Sequence, residues 1–320
     1  MLQYFVFLRR CFALLAKELV IIGGGPAGYA AGLYAARADI EALLIERGMP
    51  GGQAASTEWI ENYPGFPGGI GGLDLALKMD EQARSFGLEI MNADVEKLER
   101  QGDEFIVYTA QQSVKAKAVI LATGAKPQYL NVDGESKFHG RGVSYCATCD
   151  GAFFRDKTVA VVGGGDAAVE EAIFLTKFAR KVYIIHRRGE LRATKLIQKR
   201  AMANEKIEFL WFSVVEKVVG EDKVEAVRVK DVRTGETKEV PLDGVFVYVG
   251  TRANSELVQE MVEIDARGYI AANDKMETGV PGLYVAGDIR QKPLRQVVTA
   301  VADGAVAAME AEKYLASLAG

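Results

Sequence analysis

The chain has 320 residues, a formal net charge of −4, and 49% hydrophobic against 26% charged residues. That balance is ordinary for a water-soluble globular protein of two domains. The mildly acidic total gives no support for a general nucleic-acid binder, and three cysteines are too few for a disulfide scaffold.

The first 16 residues, MLQYFVFLRRCFALLA, are apolar but carry Arg9 and Arg10 in their middle. A membrane span needs ~20 predominantly apolar residues, and a signal peptide places its charges ahead of its apolar run. Residues 1–16 are therefore expected to be an extension with no membrane role, Cys11 being inert within it. The KELVII that follows reads as the start of a core strand.

An internal repeat organises the rest. Residues 19–47, LVIIGGGPAGYAAGLYAARADIEALLIER, and residues 159–188, VAVVGGGDAAVEEAIFLTKFARKVYIIHRR, share one pattern. Each is a β-branched run, a glycine turn, an alanine-rich helical stretch and a second apolar run. That is the strand–turn–helix–strand context of a dinucleotide fingerprint. Gly23, Gly25 and Gly28 correspond to Gly163, Gly165 and Ala168, each 140 residues later. The first glycine lets the chain turn, the second lets backbone approach a pyrophosphate, and the third, small position lets helix and strand pack closely. The anion then meets free N–H groups at the helix N-terminus.

The end of the second strand separates the two units. The first unit has Glu46, 21 residues after Gly25, where a carboxylate can accept hydrogen bonds from a ribose diol. The second has His186, then Arg187 and Arg188, with Arg192 close behind. Arginines there attract a 2′-phosphate and can grip it bidentately. The first site suits FAD or NAD, and the second suits NADPH.

Between the two units lie turn-rich runs at 51–53 and 61–69, and a buried-strand pattern at 119–127 ending in a glycine turn. A similar strand at 282–290 ends in Gly287 and Asp288, and a helical stretch spans 294–315. These pieces flank the second repeat on both sides. The fold class is accordingly α/β, with two Rossmann-like nucleotide-binding domains, the second inserted into the first. The expected boundaries put residues 1–126 and 255–320 in the first domain and 127–254 in the second. The turn-rich connections near 122–134 and 248–256 could act as paired hinges.

Cys146 and Cys149 stand in RGVSYCATCDGAFF, residues 141–154, just before the second glycine turn. Scarce cysteines fit a reducing, cytoplasmic compartment, where a Cys-x-x-C is redox-active or metal-binding rather than structural. A zinc site needs about four ligands. Only His139, His186 and carboxylates could complete one here, so no metal is expected.

In order and spacing, GGGPAG, GGQ, ATG, CATCDG, GGGDAA, HRRGELRA and AGD…RQ resemble the low-molecular-weight thioredoxin reductases, class II pyridine nucleotide-disulfide oxidoreductases. The resemblance runs from about Lys17 to Leu318. It implies a homodimeric NADPH-dependent flavoprotein that reduces thioredoxin, one domain rotating relative to the other. FAD would be held by Gly23, Gly25, Pro26, Ala27 and Gly28, by Glu46, Arg47, Gly51, Gly52 and Gln53, and by Asn62, Gly124, Gly287, Asp288, Arg295 and Gln296. NADPH would be held by Gly163, Gly165, Asp166, Ala167 and Ala168, and by His186, Arg187, Arg188 and Arg192. The resemblance makes Cys149 the flavin-facing sulfur, Cys146 the sulfur that attacks thioredoxin, and Asp150 the acid or base for the thiol proton. Asp166 and Glu190 depart from the expected pattern, placing acids near the phosphate-reading groups. Within the same chemistry, the alternatives are a flavin disulfide reductase with a glutaredoxin-like or peroxidase-linked partner, or with ferredoxin or NADH as donor. Outside enzymes, the alternative is a flavin-bound redox sensor.

Overall fold

A computed structural model of the chain describes residues 14–57 and 59–319. Residues 1–13, with Cys11, lie outside them. The chain divides into two compact units. One runs to Ala125 and resumes at Ala253; the other is Lys126–Arg252.

The first unit begins with β1 (Leu14–Ile22), α1 (Pro26–Arg37) and β2 (Ala42–Glu46). A short α2 (Gly52–Ala55), α3 (Gly72–Ser85) and β3 (Glu89–Asn92) follow. A meander comes next: β4 (Val95–Gln101), β5 (Glu104–Thr109) and β6 (Ser113–Leu121). Strand order is β3-β2-β1-β6-β5-β4. Leu19, Val20 and Ile21 have no exposed surface, as expected of a parallel strand covered on both faces.

β1 opens three residues earlier than the sequence suggested. Leu14, Leu15 and Ala16 pair with Ser113, Val114 and Lys115 of β6, and Leu15 packs on the core beneath. The long neighbouring strand offers these residues a ladder, so they leave the expected extension and join the sheet.

The second unit starts within β7 (Ala125–Pro127). It holds β8 (Val143–Ser144), α4 (Ala147–Asp150), β9 (Thr158–Gly163), α5 (Asp166–Leu175) and β10 (Lys181–Ile185). Then come α6 (Lys195–Met202), β11 (Ile207–Leu210) and the antiparallel trio β12 (Ser213–Val219), β13 (Ala226–Asp231) and β14 (Thr237–Pro241). β15 (Gly244–Tyr248) follows, and the unit ends within β16 (Thr251–Ala253). Its parallel sheet has the order β11-β10-β9-β15-β8.

Back in the first unit, β17 (Leu283–Val285) lies parallel to β6, and α7 (Val297–Ala319) closes the chain. Both units therefore repeat one plan: a parallel sheet beside an antiparallel meander. α7 packs against α1 through small residues. A Cβ on Gly304 would stand 2.1 Å from the carbonyl oxygen of Ala27. That close approach anchors α1, and with it the first glycine turn.

Candidate active site

The two glycine turns take nearly the same backbone form. Gly25 precedes α1 with φ −83° and ψ −176°, and Gly165 precedes α5 with φ −90° and ψ 179°. A Cβ on either would meet nothing within 4 Å. The neighbouring small positions are tightly packed. A Cβ on Gly28 would stand 1.8 Å from Gly23 O. Open space therefore lies at the residue that faces an anion, and contact lies at the residue that seats the helix.

A second correspondence links the loops beyond. Gly51 N–H donates to Gly24 O at 2.7 Å, and Arg192 N–H donates to Gly164 O at 2.7 Å. In each unit, the loop after the second strand folds back onto the same carbonyl of the turn. This brings Gly51 and Gly52 beside Gly25 in the first unit, and brings the arginine loop to the turn in the second.

Glu46 is half-buried at the end of β2. Its Oε2 accepts from Gly24 N–H at 2.5 Å and its Oε1 from Gly48 N–H at 2.8 Å. Arg47 beside it is exposed. Gln53 donates through Nε2 to Ala125 O. Asn62 and Gln296, 234 residues apart, meet through a 3.0 Å hydrogen bond. The Arg295 guanidinium lies 3.8 Å from the centroid of the Tyr269 ring, and its Nε is buried with no hydrogen-bond partner among the described residues. Gly287, with φ 82°, would push a Cβ to 2.8 Å from Ala27 Cβ, so Asp288 emerges close to the start of α1. Gly124 has φ 63° and open space in front of it. These are residues of the first unit.

In the second unit, Ala167 is exposed while Ala168 is buried at the start of α5. Arg187, Arg188 and Arg192 are exposed. His186 is set inward, 6% exposed. Its ring sits against Gly164 and edge-on to Trp211, and Nε2 has no hydrogen-bond partner among the described residues. Burial first, and then the Arg192 charge, hold its pKa below the ordinary value. Since the folded chain disfavours the imidazolium, stability is full above the unfolded value of 6.5 and falls as pH drops through it. Thermal melts between about pH 7.5 and about pH 5.5 should show this loss, and His186→Gln should lessen it.

Asp166 has a structural use that the sequence reading did not foresee. It is the first residue of α5, and its Oδ1 accepts from Thr194 N–H at 2.6 Å. The carboxylate thus ties down the end of the arginine loop.

Cys146 and Cys149 are joined in a disulfide with Cα atoms 5.3 Å apart. Cys146 caps α4, its Sγ accepting from Cys149 N–H at 3.2 Å and lying 3.3 Å from Thr148 Oγ1. Asp150 is half-buried, and its N–H donates to Cys146 O at 3.2 Å. Three supports were not legible in the sequence. Ser144 Oγ accepts from Cys146 N–H at 3.0 Å. Tyr248, at the end of β15, accepts from Ala147 N–H at 2.9 Å. Tyr145 donates to Glu135 at 2.8 Å, and the buried Glu135 carboxylate also accepts from Leu130 and Asn131 N–H groups. Burial and Glu135 raise the Tyr145 phenol well above its ordinary pKa. Phe154 packs inward against Phe246, while Phe153 is 73% exposed.

The sequence profile described as "Pyridine nucleotide-disulphide oxidoreductase" matches residues 17–304. The chain belongs to the pyridine nucleotide-disulphide oxidoreductase family. Among its relatives is a thioredoxin reductase of Bacillus subtilis (strain 168), 48% identical over 302 residues, 94% of this chain and 95% of that one. The crystal structure of Lactococcus lactis thioredoxin reductase, in its FR conformation, aligns with TM-score 0.92 at 46% identity, covering 94% of this chain and 99% of that one. The T. acidophilum thioredoxin reductase aligns with TM-score 0.89 at 33% identity, covering 95% and 99%.

Membership in this oxidoreductase family joins a pyridine nucleotide and a disulfide in one reaction, with a flavin between them. The two glycine turns and the Cys146–Cys149 pair are parts suited to it. A further group escaped the sequence reading. Asp303 of α7, 5% exposed, accepts from Gly287 N–H, Arg290 and Lys292. A lone acid in a helix gives no periodic signal of such a role. Among the described residues, no helix is long and apolar enough to cross a membrane, and no cluster of three His, Cys, Asp or Glu side chains could hold a metal ion.

Proposed function

We propose that this chain is a cytoplasmic, homodimeric, NADPH-dependent thioredoxin reductase that holds FAD in its first unit and NADPH in its second. The observation that carries this reading is the Cys146–Cys149 disulfide placed immediately before a glycine turn whose arginine loop suits a 2′-phosphate. The names of its relatives support the same reading.

The first turn fits FAD. Space is open at Gly25, Glu46 stands where a ribose diol needs an acceptor, and the sealed Arg295 Nε lacks a partner among the described residues. Asn62, Gln296, Gly124 and Asp288 add polar groups and backbone access. The second turn fits NADPH: Gly165 is open, and Arg187, Arg188 and Arg192 project into solvent. When bound, FAD supplies the conversion between the hydride of NADPH and the electron pair that a disulfide requires.

The protein's part is sulfur chemistry. Once the pair is reduced, the Cys146 thiolate is stabilised by the N–H of Cys149 and by Thr148. It attacks one sulfur of oxidised thioredoxin, forming a mixed disulfide and releasing a thioredoxin thiolate, which takes a proton. The Cys149 thiolate then attacks Cys146 Sγ. That step frees the second thioredoxin thiol and restores the Cys146–Cys149 disulfide. Asp150 holds or passes the proton at Cys149. Exposed Phe153 gives the partner protein an apolar contact beside the pair.

Anaerobic NADPH should bleach the flavin absorbance, and oxidised thioredoxin should restore it while being reduced. Bleaching without reduction of any thioredoxin would point to another dithiol partner or to a sensor. Replacing Arg188 and Arg192 together by Gln should raise KM for NADPH on the order of tenfold to a hundredfold, the worth of about one charge-assisted bond. KM for NADH should be unchanged. Equal losses for both nucleotides would refute the phosphate-reading role.

A further inference from the structure

Four charged residues meet between β17 and α7: Asp288, Arg290, Lys292 and Asp303. Asp303 is already well served. It accepts from Gly287 N–H at 3.1 Å and takes Arg290 through both oxygens at 3.0 and 3.2 Å. Lys292 adds a third donor, its Nζ 2.9 Å from Oδ2, with its side chain only 3% exposed. Burying an ammonium costs several kcal/mol unless an opposite charge answers it. Arg290 and Asp303 already balance each other. The surplus positive charge is answered by Asp288, whose Oδ1 lies 3.5 Å from Lys292 Nζ.

Asp288 itself is divided. Its Oδ1 is sealed from solvent and makes no hydrogen bond among the described residues, yet the side chain as a whole is 39% exposed. The exposure therefore falls on the rest of the carboxylate, beyond the buried cluster. We propose that Lys292 is a positioning residue for the flavin: it holds Asp288 as a carboxylate, so that the outward oxygen can accept a hydrogen bond from a hydroxyl of bound FAD. This inference rests on the flavin reading given above.

The electrostatics agree. Burial raises the Asp288 pKa, Lys292 is the largest opposing influence, Arg295 also lowers it, and Asp303 raises it. Removing the lysine charge leaves burial and Asp303 opposed chiefly by Arg295. Asp288 would then take up a proton as pH falls and become a weaker, uncharged acceptor.

The test is release of FAD from the purified full-length holoprotein, followed by the flavin fluorescence that appears on dissociation. Wild type should release FAD at a rate nearly independent of pH between about 8 and about 6. Lys292→Met should release it severalfold faster at the acid end than wild type does, with the excess growing as pH falls. Lys292→Gln keeps a donor to Asp303 but lacks the charge; it should show the same slope, and it carries the test should the methionine variant not fold. Lys292→Arg should restore wild-type release. Asp288→Asn should speed release without a pH slope, and adding Lys292→Met to it should create none. Wild-type release from both neutral variants would overturn the proposal, as would a slope that persists in the Asp288→Asn background. A wild-type protein that binds no FAD at all would overturn the flavin reading as well.

Discussion

Replacing Cys146 or Cys149 by serine should lower thioredoxin turnover on the order of 10³-fold or more, the scale on which removal of a covalent nucleophile acts. Flavin content and bleaching by NADPH should persist, because neither sulfur belongs to the glycine turns or their loops. The two variants should also differ. Cys149→Ser leaves the capping sulfur, which accepts from the N–H of residue 149. With a thioredoxin that lacks its resolving cysteine and carries its remaining cysteine as a mixed disulfide with an aryl thiol, it should displace the aryl thiolate and form a stable protein–protein mixed disulfide. Cys146→Ser removes that sulfur and should form none. Non-reducing electrophoresis of the mixtures separates the outcomes. A trapped species with Cys146→Ser and none with Cys149→Ser would reverse the assignment of the two sulfurs.

Gly28→Ala should cost the first unit its cofactor. The added methyl would stand 1.8 Å from Gly23 O and 3.0 Å from Gly23 C. Backbone atoms cannot rotate away, so α1 must move off β1. Overpacking of this kind typically costs about 1–3 kcal/mol, and here the displaced helix end is the one meant to face the pyrophosphate. The variant should purify largely free of FAD and melt at a lower temperature than wild type. The matched change in the second unit, Ala168→Gly, should be mild, since it deletes a single buried methyl. Flavin absorbance per chain and thermal melts check both, and full FAD occupancy in Gly28→Ala would refute the argument.

That contrast shows how far the sequence could be read. The repeat spacing, the paired β-branched runs and the small third positions were visible as patterns, and both turns fold alike at Gly25 and Gly165. The Cys-x-x-C was equally visible, and no second Cys-x-x-C competes with it. What spacing could not reveal was which side chains reach across the fold. Asn62 meets Gln296 over 234 residues. Tyr248 secures Ala147. Lys292 is buried on Asp303. Each of these residues looks unremarkable in its own window.

Local pattern also left the surroundings of some residues open. His186 occupies the position of Glu46 but turns inward, because Gly164 and Trp211 give an aromatic ring a place to pack. Asp166 seemed an awkward charge beside a phosphate, yet its oxygen is taken by Thr194 N–H. The first strand took in Leu14–Ala16 because β6 offered a ladder longer than the sequence pattern of β1 alone suggested.

The sequence by itself determined the doubled nucleotide-binding plan, the redox pair and the difference in charge between the two ribose positions. These depend on residue type at short, fixed spacing, which backbone periodicity translates directly into geometry. Only the tertiary structure decided why Gly28 tolerates no methyl while Ala168 carries one, and which buried charges stand behind Asp288. Those outcomes depend on ångström-scale distances between segments remote in the chain, and no local spacing encodes them.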